Sequence, residues 1–196
     1  IESVYRPPSL SRSLLAAAGF ATVEFDDPKV FAQALSGIAC DCIVLDLRLP
    51  GSSGLEMLEE AQAMRPGIPV IMISGEGDLP TAVEAMRNGA SDFVEKPVSK
   101  STLIEAVRRS IARARNPGPA ARSGAQLGNI RQRLTPREAQ ILDLLLKGYR
   151  NKQVAYELGV SARTVEVHRA NMMKRVGASN FAELIRLAVG PGSGAR

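Results

Sequence analysis

The apolar positions of this chain follow two rhythms in succession. Up to about residue 115, short apolar runs alternate with longer stretches in which Leu, Ala, Val or Met recurs every three or four positions. The first kind predicts strands and the second amphipathic helices. Strands are expected over residues 1–4, 21–25, 42–46, 70–73 and 92–95, and helices over 8–19, 28–36, 54–64, 80–88 and 99–113. Cys42-Ile43-Val44-Leu45 is apolar without interruption, the pattern of a strand covered on both faces of a parallel sheet. Strands alternating with helices of this length predict a doubly wound α/β domain with a parallel five-stranded sheet.

Beyond residue 115 the strand rhythm stops. Residues 116–129 are rich in Pro, Gly, Ala and Ser, a composition that predicts a flexible linker. Helical spacing then returns over residues 135–148, 151–158, 161–175 and 180–189. Thr135, Pro136 and Glu138 fill the N-cap, first and third positions of a capping box. Asn151 is placed to cap the second of these helices and Ser161 the third, with Gly159 and Val160 turning the chain between them. Two short helices joined through a glycine turn form a helix-turn-helix pattern, although a generic helical bundle shares its apolar spacing. Arg163, Arg169, Lys174 and Arg175 on the third helix, with Asn171, favour the nucleic-acid reading, since they supply donors for phosphates and base edges. The expected domains are residues 1–115, a linker over 116–130, and an all-α helix-turn-helix domain over 131–196.

Charge divides along the same boundary. Residues 1–114 carry 11 Lys and Arg against 15 Asp and Glu, and residues 115–196 carry 14 against 5. Only the second part has the balance expected of a polyanion-binding surface. Cys40 and Cys42 lie on one face of a single strand, too close along it for an easy disulfide, which suits a reducing cytoplasmic setting. No apolar run approaches the roughly 18 residues of a membrane span. The single histidine, His168, falls within the third helix of the second domain and is read as a DNA-facing or packing residue.

Three successive strand ends carry candidate chemistry: Asp46, Ser74 and Lys96. In open α/β sheets, ligands gather at the carboxyl ends of strands. An acid, a hydroxyl and a lysine brought together there suit a phosphoryl group, which needs an attacking oxygen, a donor and a cation. Taken alone, Asp46 would more simply cap the turn that follows it.

Leu45-Asp46-Leu47-Arg48-Leu49-Pro50-Gly51-Ser52-Ser53-Gly54, Ile73-Ser74-Gly75 and Phe93-Val94-Glu95-Lys96-Pro97 together resemble the receiver domain of two-component response regulators. The resemblance implies strand order 2-1-3-4-5, Asp46 as phosphoacceptor, Ser74 as switch hydroxyl and Lys96 as the phosphate-contacting lysine. It also implies a cis peptide before Pro97 and the aromatic switch at Phe93. Leu134-Thr135-Pro136-Arg137-Glu138, Asn151-Lys152-Gln153-Val154-Ala155 and Thr164-Val165-Glu166-Val167-His168-Arg169-Ala170 resemble the LuxR-type helix-turn-helix, most closely its FixJ branch. The whole is similar to a NarL/FixJ-type response regulator. That family implies a non-enzymatic DNA-binding transcription regulator, with a sensor histidine kinase as partner. It also implies a homodimer in the active form, built on the helix, strand and helix at 80–88, 92–95 and 99–113. Arg163, Thr164, Val167, Arg169 and Lys174 are the expected DNA contacts.

The match departs at one place. Receivers present two adjacent acids after the first strand, which hold Mg²⁺ with the phosphoacceptor. Counting back from Gly19-Phe20 puts Glu2 and Ser3 at those positions, and counting through Pro8-Ser9 puts Tyr5 and Arg6 there. Neither gives the pair, so Glu2 and Asp46 form at most a weak Mg²⁺ site, and Asp46 is expected to be phosphorylated poorly or not at all. Two other readings stand beside this one: a small phosphotransfer enzyme using Asp46, and an interaction module that no longer binds DNA.

Overall fold

A computed structural model describes residues 3–6, 15–49, 52–75, 79–116 and 126–189. By their contacts these sort into two compact units, Ile1–Gly75 with Ala90–Pro117, and Glu76–Gly89 with Gly118–Arg196.

The first unit is built on a five-stranded parallel sheet. Its strands are β1 (Ser3–Arg6), β2 (Ala21–Glu24), β3 (Cys42–Asp46), β6 (Val70–Ser74) and β7 (Asp92–Glu95). They lie in the order β2-β1-β3-β6-β7, the 2-1-3-4-5 arrangement implied by the resemblance. Every residue of β3 and β6 is buried, as their unbroken apolar runs require of central strands. Alternate side chains serve opposite layers. Cys42, Val44, Ile71 and Ile73 join a core with Leu103, Val107 and Ile111, three residues of helix α4 (Lys100–Arg115). Helices α1 (Pro28–Leu35) and α2 (Gly54–Met64) pack together and bury Phe31, Leu35, Leu58 and Ala61.

Local chemistry sets the helix starts. Asp27 accepts the Lys29 N–H at 2.7 Å with Pro28 at the first helical position, as expected. Ser53 and Glu56 close a capping box on α2, and Ser99 accepts from Thr102 on α4. Two details differ from expectation. Strand β1 spans Ser3–Arg6 rather than 1–4. The Pro/Gly/Ser loop after β3 also contains a small antiparallel ladder, β4 (Arg48–Leu49) with β5 (Ser52–Ser53). Most of the helix expected over 8–19 lies outside the described residues, which resume at Leu15.

The second unit is helical: α3 (Leu79–Arg87), α5 (Gln126–Arg133), α6 (Pro136–Leu146), α7 (Asn151–Glu157), α8 (Ala162–Val176) and α9 (Phe181–Val189). Helix α3 precedes β7 in the chain yet groups here by its contacts. Helix α5 occupies the end of the stretch read as a linker. Its propensity is modest, and it is held by burial of Ile130 and by packing on α9. Thr135 and Glu138 form the expected capping box on α6. Ser161 caps α8 by accepting from Thr164 at 3.0 Å, and Gly177 ends that helix in the left-handed region at φ 75°. Asn151, expected as a cap, is instead the first helical residue of α7. The Arg150 N–H at that end is accepted by Gln153 Oε1, which frees the Asn151 amide for a partner on α8.

Candidate functional site

Asp46 ends β3, where the parallel strands open at their carboxyl edge. The residue is 6% exposed. One oxygen accepts the Arg48 backbone N–H at 3.1 Å, and the other is ion-paired with the Lys96 ammonium. Lys96 is carried there by β7, whose register pairs Glu95 with Ser74, and the Lys96 N–H is accepted by the Ser74 carbonyl at 2.7 Å. The Lys96–Pro97 peptide is cis, as implied. Asp46, Ser74 and Lys96 therefore gather at adjacent strand ends. Phe93 stands two residues into β7 and is buried.

Two contributors escaped the sequence reading. The Arg48 N–H is a backbone donor, invisible in residue type. Gly54 is the other: a Cβ at this position would collide with the Asp46 carbonyl oxygen and lie 2.7 Å from Leu47 Cα. Glycine here lets the start of α2 close onto the strand end, where its N–H is accepted by the Leu47 carbonyl at 3.2 Å.

Among the described residues, no group of three or more His, Cys, Asp and Glu side chains could hold a metal ion. Val4 and Tyr5 of β1 pair with Cys42 and Ile43. Each step along β1 moves toward the Asp46 end of β3, so Arg6 reaches furthest toward it of the four strand residues. Glu2 lies outside the described residues. It is the only Asp or Glu in the first 23 positions.

The helical unit presents a different surface. Helix α8 buries Val165, Met172 and Val176. Its opposite face exposes Arg163, Glu166, Val167, Ala170 and Lys174. Of the five expected contacts, Arg163, Val167 and Lys174 are exposed, and Thr164 is half-buried with its hydroxyl 2.8 Å from that of Ser161. Arg169 turns inward. Its guanidinium hydrogen-bonds the Asn151 side-chain oxygen at 3.2 Å and lies over the Phe181 ring. His168 is half-buried on the same helix.

Beneath this surface, Glu138 binds the helices together. It is 2% exposed, accepts from the Thr135 N–H and hydroxyl at 2.8 Å each, and pairs with Arg175 at 3.2 Å. Burial by itself would raise its pKa. The Thr135 bonds and the Arg175 charge outweigh that and hold the carboxyl below the usual glutamate value.

The sequence matches the response regulator receiver domain over residues 8–108 and the luxR family of bacterial regulatory proteins over residues 132–188. It is 42% identical to the transcriptional regulatory protein FixJ of Bradyrhizobium diazoefficiens, across 91% of this chain and 87% of that protein. It is 37% identical to the response regulator TodT of Pseudomonas putida, across 89% of this chain and 77% of that protein. Among solved structures, full-length FixJ from B. japonicum superposes with a TM-score of 0.55 at 39% identity, covering 95% of each chain. The response regulator StyR gives 0.52 at 34% identity, covering 95% of this chain and 98% of its own.

Proposed function

Because this chain belongs to the FixJ-like response regulators, which join a receiver to a LuxR-type DNA-binding domain, we propose that it regulates transcription with little dependence on phosphorylation of Asp46. A receiver of this family answers to a sensor kinase, and a LuxR-type domain binds DNA. The finer reading is that the protein acts in the cytoplasm as a homodimer when bound to DNA. The receiver spans residues 1–115, the linker 116–130 and the DNA-binding domain 131–196. The family matches at 8–108 and 132–188 fall inside those bounds. A two-fold dimer would set two copies of α8 in major-groove segments about one helical turn, roughly 34–36 Å, apart.

The observation that carries the phosphorylation reading is the missing acidic pair: Glu2 is the only Asp or Glu in the first 23 positions, and among the described residues no group of three or more ligating side chains could hold a metal ion. A lysine placed on the phosphoacceptor neutralises the carboxylate directly. A phosphoryl group arriving there has that one cation to share and, among the described residues, no acid cluster to bring a metal. The placement of Ser74 and Lys96 at strand ends beside Asp46, with Phe93 buried on β7, supports reading them as the phosphate contacts and the aromatic switch.

The test compares wild type with Asp46→Asn on DNA enriched from genomic fragments by the full-length protein. Affinities within twofold of each other, with and without prior phosphodonor treatment, are expected. A gain of tenfold or more on phosphodonor treatment, absent in Asp46→Asn, would overturn the reading. Light scattering of the free and DNA-bound protein measures the dimer separately.

A further inference from the structure

Most arginines beside the recognition helix are used by the fold. Arg133 donates to the Val176 carbonyl at 3.1 Å and Arg137 to the Leu158 carbonyl at 2.6 Å. Arg169 serves Asn151 and Phe181, and Arg175 serves Glu138. What α8 turns outward at its middle is therefore short: Glu166, Val167, Ala170 and Asn171 are exposed, two polar side chains beside two apolar ones, and none of the four is a long cation. Val167 is 47% exposed, although Val165, two residues and about 200° away around the helix, is completely buried. Ala170 lies one turn on from Val167, on the same side, and is also exposed. Glu166 beside them offers only acceptors, and Arg163 is bonded to it at 3.0 Å.

This set selects among base edges. In the major groove guanine presents two acceptors, which call for a long cationic donor, while thymine presents a methyl group that calls for apolar contact. Val167 and Ala170 have no donor to give, and the Glu166 carboxylate repels acceptors such as guanine O6 and N7. A solvent-exposed valine and alanine at the centre of a basic domain have an apolar partner available in thymine methyls. Resting on the DNA-binding reading above, we infer that the middle of α8 recognises thymine C5-methyl groups through Val167 and Ala170, and so selects a thymine-containing half-site rather than a guanine core. The exposed cations at the ends, Arg163 and Lys174, flank this reader and face the phosphates.

The test removes only the methyl. Duplexes are enriched from a random pool by the full-length protein, and each thymine of the protected half-site is replaced in turn by deoxyuridine. At one or two positions, wild-type affinity is expected to fall about fourfold, the worth of one buried methyl. In Val167→Ala the same replacement should cost less than twofold, because the contact has already gone. Val167 is exposed, so this variant keeps its core; circular dichroism and an unchanged affinity for nonspecific DNA verify that. The inference is overturned if no replacement changes affinity by more than twofold, or if the loss is equal in wild type and Val167→Ala. If no duplex is enriched and none is bound, the DNA-binding reading itself fails and takes this inference with it.

Discussion

The guanidinium of Arg169 lies over the ring of Phe181, its central carbon 3.8 Å from the ring centroid. The same group donates to Asn151 on α7, so one side chain ties the recognition helix to the helices on both sides of it. Such a stacked cation contributes about 0.5–1 kcal/mol or more, and the hydrogen bond about as much again. Arg169→Ala should therefore lower the stability of the helical domain by roughly 1–2 kcal/mol. Its affinity for DNA should fall through loss of α8 orientation, with little change in salt dependence. Lys174→Ala should do the reverse, leaving stability unchanged and lowering the salt slope by about 1. Thermal melts and binding titrations at several salt concentrations separate the two. A salt slope that drops equally in both variants would place Arg169 on a phosphate.

Gly54 supports a second prediction. A methyl at this position would press on the Asp46 carbonyl and on Leu47 Cα, both main-chain atoms at the end of a buried central strand. Backbone cannot step aside as a flexible side chain would. Gly54→Ala, which would be mildly stabilising in an unconstrained helix, should instead destabilise the receiver by about 1–3 kcal/mol. Urea unfolding of the variant measures this, and a stability equal to or above wild type would refute the close approach.

These two sites differ in how far the sequence revealed them. The sheet was legible because β3 and β6 are apolar up to their last residues, Asp46 and Ser74. Helix starts at Asp27-Pro28, Thr135 and Ser161 were legible because capping depends on residue type at fixed offsets. Asp46 and Ser74 could be found because each closes an apolar run, and Lys96 because it follows the strand Asp92–Glu95 and precedes Pro97. Helix α5 was hidden, since Ile130 is an isolated anchor in a polar stretch and the helix depends on packing against α9. The ladder Arg48–Leu49 with Ser52–Ser53 is two residues a side, too short for any alternation to register. Arg169 was counted as a DNA contact from its charge. A sequence gives charge but not direction, and Phe181 stands twelve positions further along.

Glu138 makes the helical domain sensitive to acid. Its folded-state pKa lies below the ordinary 4.5. The unfolded chain thus takes up a proton more readily than the folded one, and stability from this group is present above about 4.5. It is lost as pH falls through the lower, folded value. Glu138→Gln cannot titrate, so its unfolding free energy should be lower than wild type at neutral pH and should converge with it toward the acid end. Parallel stability curves for the two proteins between neutral pH and pH about 3 would show that the carboxylate does not carry this dependence.

The receiver pocket supports the sharpest test. In a phosphorylatable receiver, incoming phosphoryl oxygens meet the negative phosphoacceptor, and a metal held by neighbouring acids offsets that repulsion. Here the described residues contain no such acid cluster, and Lys96 is already engaged with Asp46. One lysine can neutralise the carboxylate or meet the phosphoryl oxygens, but at full strength it cannot do both. Treatment of the full-length protein with a small-molecule phosphodonor and Mg²⁺ should therefore leave its intact mass unchanged on the timescale of minutes. Lys96→Ala should not restore modification, because it frees the acid while removing the remaining cation. Restoring acids is the informative change: Tyr5→Asp with Arg6→Asp places two carboxylates at the end of β1, and Mg²⁺-dependent gain of one phosphoryl group is expected in that variant, abolished by Asp46→Asn. A prompt Mg²⁺-dependent gain in the wild type, also abolished by Asp46→Asn, would mean that the pocket assembles a working metal site from other groups and would overturn the proposal.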